Sequence, residues 1–167
     1  MPEVHGNLEG IRKSTLDELA ALYDVQLDSD VFMPQDLLQS LCGYSAFLNR
    51  EIAVYITRDG EIADVFIGKA ASIDLPDIRL RRSERRLSMI RCIHTHPGGS
   101  ARLSDVDLQA LRLLRFDAMC AVGVQDGRAT GISAAFLGEL EYDKLSINVV
   151  GPVKPGRIPQ QLWMHEI

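Results

Sequence analysis

RCIHTHPGGSARLSDVDLQALRLL, residues 91–114, is the stretch on which the reading of this chain turns. The run Met89-Ile90-Arg91-Cys92-Ile93 is mostly apolar and reads as a short buried strand. It leads into His94-Thr95-His96. Residues two apart in a strand share a face, so both imidazoles are expected to project from one side at the strand's end. Pro97-Gly98-Gly99-Ser100 then demands a loop. Its glycines and small neighbours predict that residues 98–103 are mobile until a metal orders them. Ser104-Asp105-Val106-Asp107 opens an amphipathic helix carrying Ala110, Leu111 and Leu114 on one side.

This set of side chains has a chemistry. Two neutral imidazoles, His94 and His96, and one carboxylate, Asp107, make a three-ligand zinc site with a position left open for water. Zinc lowers the pKa of such a water to about 7, which supplies hydroxide at neutral pH. Asp107 falls on the first helical turn, where it can face back toward the strand end, and Ser104 falls at the N-cap with its hydroxyl nearby. The plainer readings are also available. Ser104-x-x-Asp107 resembles a capping box with Asp in place of Glu, and most such tetrapeptides only start helices. Strand-end histidines are often merely solvated. It is the conjunction at this spacing that points to a metal.

H-x-H-P followed by S-x-x-D, with ten residues between His96 and Asp107, resembles the JAMM motif of MPN-type metalloproteins. These include zinc-dependent isopeptidases that remove ubiquitin-like modifiers, and the related RadC proteins. The resemblance implies Zn2+ held by His94, His96 and Asp107, with Ser104 helping to hold the oxyanion of a tetrahedral intermediate. It also implies a catalytic Glu at the start of an earlier strand. Glu51 fits that place, because it precedes the apolar run Ile52-Ala53-Val54-Tyr55-Ile56. Many MPN domains keep the fold and lose the activity, so the family also supplies a non-catalytic alternative.

A second resemblance is spread more widely. Gly6-Asn7-Leu8-Glu9-Gly10-Ile11-Arg12, residues 70–76, the motif strand and LLRFDAMCAVGV (residues 113–124) are similar to the N-terminal extension of HflX-type GTPases. Members of that group often carry Leu where this chain has Pro97, so this sequence departs from them toward the complete JAMM set. The implied setting is a module preceding a GTPase, with possible association with the ribosome through that parent. The chain itself has no G-x-x-x-x-G-K-[ST] and so no P-loop.

Bulk properties agree with one ordinary domain. The chain has 167 residues, 46% of them hydrophobic, which is enough apolar mass for a real core. A net charge of −5 argues against bulk attraction to nucleic acid or anionic membrane. The three cysteines, Cys42, Cys92 and Cys120, all sit in apolar runs and none falls in a C-x-x-C, which suggests buried free thiols in a reducing compartment. There is no signal-like leader and no 18-residue apolar span. A cytoplasmic location is expected.

In chain order, residues 1–13 read as a polar N-terminal arm, with His5 an unconstrained surface residue. Ser14-Thr15-Leu16-Asp17-Glu18 starts a helix with Leu16, Leu19, Ala20 and Tyr23 on one face. Asp28-Ser29-Asp30 is a break, and Pro34 fits the first position of a second helix with Leu37, Leu38, Leu41 and Ala46 as apolar positions. Residues 51–57 and 61–68 flank Arg58-Asp59-Gly60, a strong hairpin signal. Arg79, Arg81, Arg82, Arg85 and Arg86 form a solvated loop or a local anion site, with no interleaved aromatic for base stacking. Residues 118–124 and 130–137 make another hairpin around Gln125-Asp126-Gly127, and residues 142–150 a further strand. Residues 151–167, with Pro152, Pro155 and Pro159, read as an extended linker toward a missing GTPase domain.

This order predicts an α/β or α+β layered domain over residues 1–150, a mixed sheet with packed helices. The resemblance narrows that to the MPN/JAB, cytidine-deaminase-like arrangement. The functional expectation is a zinc-dependent amide or isopeptide hydrolase acting on a protein or peptide. The alternative is a non-catalytic MPN scaffold that docks a GTPase to the ribosome or another partner.

Overall fold

The computed structural model describes residues 2–28, 31–68, 90–114, 116–140, 144–150 and 156–157. Two helices open the fold: α1 (Lys13–Ala20), continued by a 3₁₀ turn at Ala21–Asp24, and α2 (Gln35–Leu48). The strands are β1 (His5–Gly6), β2 (Val31–Met33), β3 (Ile52–Thr57), β4 (Ile62–Ile67), β5 (Ile90–His96), β6 (Ala118–Gln125), β7 (Arg128–Leu140), β8 (Lys144–Val150) and β9 (Gly156–Arg157). A third helix, α3 (Asp105–Leu114), joins β5 to β6.

Among the described residues, seven strands form a mixed sheet in the order β1-β4-β3-β5-β6-β7-β8. β5 pairs with β6 in parallel and with β3 antiparallel. A parallel neighbour needs a crossover, and α3 supplies it. Alternation along the strands sorts the core into two layers. Ile52, Val54, Ile56, Val65, Ile67, Ile93, Cys120 and Val122 face Leu19 of α1 and Leu37, Leu38 and Leu41 of α2. Ala53, Tyr55, Phe66, Cys92, Met119 and Ala121 face Ala110 and Leu111 of α3. The result is a mixed α/β arrangement with helices on both faces of the sheet. All three cysteines are free and buried.

Local chemistry explains most boundaries. Gln125 pairs with Arg128 across a two-residue turn in which Asp126 and Gly127 both have positive φ, at 52° and 74°. That is the signature of a type I′ hairpin, whose twist matches the strands it joins. α2 ends at Asn49 in the left-handed region, φ 49°. Pro34 sits at the N-cap of α2 rather than one residue inside it, with extended ψ of 142°. Ala46, expected to be apolar-facing, is exposed, and its neighbour Ser45 is buried instead.

Three expectations are corrected. The N-terminal segment is not a loose arm throughout: β1 pairs in parallel with β4, and Val4 is buried. His5 is accordingly not unconstrained, since Nδ1 lies 2.7 Å from Oδ1 of Asp64 on that neighbouring strand. Part of the proline-rich C-terminal stretch also folds back, because Gly156–Arg157 pairs antiparallel with Val31–Met33. Arg91, within the apolar run of β5, is buried yet satisfied: its guanidinium donates to the carbonyls of Val31, Phe32 and Thr57 and lies over the Phe32 ring. The arginine cluster at residues 79–86 lies outside the described residues, as do residues 70–76 and Pro152, Pro155 and Pro159. Among the described residues, no helix is long and apolar enough to cross a membrane.

Candidate metal centre

The centre is built at the end of β5, on the face covered by α3. His94 and His96 have the parity of Cys92, whose side chain packs in that layer. His94 is flanked in register by Ala53 of β3 and Ala121 of β6. Neither neighbour extends past Cβ, which leaves room over the sheet for the imidazole. His96 lies opposite Gly123 of β6. A Cβ at Gly123 would run into the Thr130 hydroxyl, the Gly99 carbonyl and the Ala101 nitrogen, so only glycine lets the loop after β5 cross there.

That loop is held at several points. The Thr130 hydroxyl donates to the Gly99 carbonyl at 2.7 Å, and Nδ1 of His96 lies 2.8 Å from the Ser100 carbonyl. Gly99 takes the positive φ of 86° and its N–H donates to the His96 carbonyl at 3.2 Å. These bonds come from β7 and from the histidine itself, neither of which a count of glycines in the loop reveals.

The reciprocal capping box forms at the start of α3. The Ser104 N–H donates to Oδ2 of Asp107 at 2.7 Å, and the Asp107 N–H donates to Oγ of Ser104 at 3.1 Å. The other carboxylate oxygen, Oδ1, faces the sheet and lies 3.3 Å from Nε2 of His94. The capping and metal readings of Asp107 are therefore compatible, because each uses a different oxygen.

Nε2 of His94 and Nε2 of His96 are 3.0 Å apart. A carbonyl only accepts, so the contact with Ser100 places the His96 proton on Nδ1 and leaves Nε2 as a lone pair. Nε2 of His94 faces two acceptors, this lone pair and Oδ1 of Asp107, so a proton or a cation has to lie there. Ligand atoms of a tetrahedral zinc, each about 2.1 Å from the ion, lie about 3.4 Å from one another. The two spacings from His94 are close to that, and one ligand atom from each of His94, His96 and Asp107 falls within 4.8 Å of the others. This donor set, two nitrogens and one carboxylate oxygen, fits a metal ion. Nδ1 of His94 is buried and has no hydrogen-bond partner among the described residues, so ligation through Nε2 would leave the Nδ1 proton without an acceptor there.

Protonation states suit the same role. Burial alone would push the Asp107 carboxyl up, but its bonds to His94 and Ser104 overcome this and hold it at about 2. Burial and the neighbouring His94 lower the pKa of His96 and favour the neutral, ligating form. Glu51 immediately precedes β3, is 6% exposed, and shares the parity of Ala53 and Tyr55. Burial drives its pKa up to about 7; His94 opposes the rise and Asp107 adds to it. A carboxyl poised near neutrality beside potential metal ligands has the properties of a general base.

Compared with known proteins, the chain matches no family model, no curated protein and no solved structure.

All five residues singled out in the sequence have identifiable places. His94, His96 and Asp107 converge, Ser104 caps the helix carrying Asp107, and Glu51 is electrostatically coupled to His94 and Asp107. Sequence reasoning missed Thr95 and Ser45, two buried hydroxyl residues that bond to each other at 2.8 Å behind the histidines. A serine inside an otherwise apolar helix face is the one signal that could have flagged this pair.

Proposed function

We propose that this chain is a zinc-dependent hydrolase of amide or isopeptide bonds, of the JAMM/MPN type related to RadC. The observation that carries the reading is the approach of His94, His96 and Asp107 to within 4.8 Å, with buried Glu51 on the same face of the sheet. The resemblance of the motif adds zinc as the metal and an MPN-like layered fold as its frame. The similarity to the front of HflX-type GTPases adds a setting beside a GTPase, with a protein or peptide as substrate and the ribosome as the location.

His94 Nε2, His96 Nε2 and Asp107 Oδ1 would hold the ion. Zinc so held supplies Lewis acidity toward a carbonyl oxygen and acidifies water. Glu51 then takes a proton from the attacking water and returns it to the leaving amine, a task suited to its pKa of about 7. Ser104 is exposed, and because its oxygen accepts the Asp107 N–H, its own O–H is left to donate to the oxyanion that develops on the substrate.

A second reading is favoured by the capping box. Ser104 and Asp107 already have a structural role there, which a non-catalytic MPN scaffold with a structural metal would also need. A panel of isopeptide-linked and peptide amides separates the two. Hydrolysis by the zinc-loaded protein that Glu51→Gln abolishes supports the enzyme, and no cleavage across the panel supports the scaffold.

A further inference from the structure

Thr95 lies between the two histidines and faces the opposite side of the sheet, where it is fully buried. The β3–β5 ladder runs from Thr57 opposite Ile90 to Ala53 opposite His94 and stops. At the next residue, the Ile52 N–H donates to the Thr95 hydroxyl oxygen at 2.9 Å. The Thr95 hydroxyl donates to Oγ of Ser45 at 2.8 Å, and the Ser45 hydroxyl donates to the Arg50 carbonyl at 2.7 Å. Each hydroxyl has one proton, so these directions are mutually consistent and leave neither group unsatisfied. The relay begins on the amide of Ile52 and ends on the carbonyl of Arg50, the residues on either side of Glu51. The carbonyl of Glu51 itself accepts the Gly68 N–H at 2.9 Å. The main chain at Glu51 is thus tied on one side to Gly68, the residue after β4, and on the other, through Thr95, to the strand that carries His94 and His96.

We infer that Thr95, held by Ser45, is a positioning residue that fixes the Glu51 carboxyl relative to the two imidazoles. The inference rests on the metal-centre reading and adds what sets its spacing. A valine at position 95 keeps the bulk and loses the relay, leaving the Ile52 amide and the Ser45 hydroxyl short of a buried partner. Glu51 can then drift from the centre even though every proposed ligand is intact.

Cobalt(II) alone serves as the probe, on the full chain stripped of metal. Its Kd is measured by competition with a chromophoric chelator, and its visible spectrum is recorded. Wild type is expected to bind one ion per chain. Loss of an outer partner of a metal site costs about 10- to 100-fold in affinity, so Thr95→Val should bind about tenfold more weakly, with altered bands. Thr95→Ser, which restores the hydroxyl, should stay within about twofold of wild type. Glu51→Gln should resemble Thr95→Val, and the double variant should be no weaker than either, because both remove one effect. The core variant Val54→Ala, at a fully buried site on the α2 face, should lower the Tm and leave cobalt affinity unchanged.

Wild-type affinity and spectrum in Thr95→Val, at a temperature where both are folded, would overturn the inference. So would a double variant about a hundredfold weaker, which would mean independent effects. If Thr95→Val does not fold, Ser45→Ala is judged by the same criteria. Failure of the wild type to take up cobalt would remove the metal reading itself, a result visible before any variant is made.

Discussion

Oδ1 of Asp107 lies 3.3 Å from Nε2 of His94, while Oδ2 of the same carboxylate accepts the Ser104 N–H at 2.7 Å. One side chain thereby starts α3 and aims that helix's first turn at the last residues of β5. The candidate metal site and the start of the crossover helix are a single piece of local structure.

Metal content follows directly from the three converging ligands. Protein purified without chelator is expected to carry one zinc per chain, and the His94→Ala/His96→Ala double variant to carry little or none. Elemental analysis showing equal metal in both would rule out this site.

Separating the two oxygens of Asp107 is possible through its partner. Ser104→Ala removes the cap acceptor and should lower the stability of chelator-treated protein by about 1 kcal/mol. Zinc content should be unchanged, because the ligand oxygen does not depend on the Ser104 hydroxyl. If Ser104 is also an oxyanion donor, turnover should drop by about 10²–10³. Loss of zinc in Ser104→Ala would show that the cap and the ligand cannot be separated.

Glu51→Gln should lose hydrolysis yet still purify with about one zinc per chain, because the roughly tenfold loss of affinity expected of it does not empty the site as loss of a ligand would. Zinc that disappears together with the carboxylate would make Glu51 a ligand and refute the role assigned to it. The same variant in metal-free protein carries a pH signature. The folded pKa of Glu51 is raised by burial to about 7, above its unfolded value. Its contribution to stability is therefore fully present below the unfolded value near 4.5 and is lost as pH rises through about 7. Glutamine does not titrate, so Glu51→Gln should gain on wild type between pH 5 and pH 8, by on the order of 2 kcal/mol. Denaturant melts in chelator at the two pH values read this difference, and a flat gap would contradict the burial of the carboxyl.

The loop after β5 offers a check on how preformed the centre is. Thr130→Ala removes the bond to the Gly99 carbonyl and should speed hydrogen exchange across residues 97–104. With Thr130 intact, adding zinc should change exchange there only modestly, since the loop is already tied to β7. A large zinc-dependent slowing in the wild type would show instead that the metal orders the loop.

Much of the fold was legible because it is written in local chemistry. Asp59-Gly60 and Asp126-Gly127 marked both hairpins, since positive φ is cheap only for a few residue types, and the 3.6-residue spacing of leucines marked α1, α2 and α3. The histidine pair and Asp107 were legible for the same reason: a strand period and a first helical turn place them by short-range geometry. What the residues by themselves could not settle depends on contacts between distant segments. The docking of β1 on β4 constrains His5 through Asp64, 59 residues away, and the pairing of β2 with β9 draws part of the C-terminal stretch onto the domain. Thr95 and Ser45, 50 residues apart, look unremarkable until the sheet and α2 bring their hydroxyls together. The sequence alone determined which side chains can bind a metal, because ligand chemistry belongs to the residue. Only the tertiary structure decided that Glu51 is buried beside them and raised toward neutrality, because desolvation is a property of the packed surroundings.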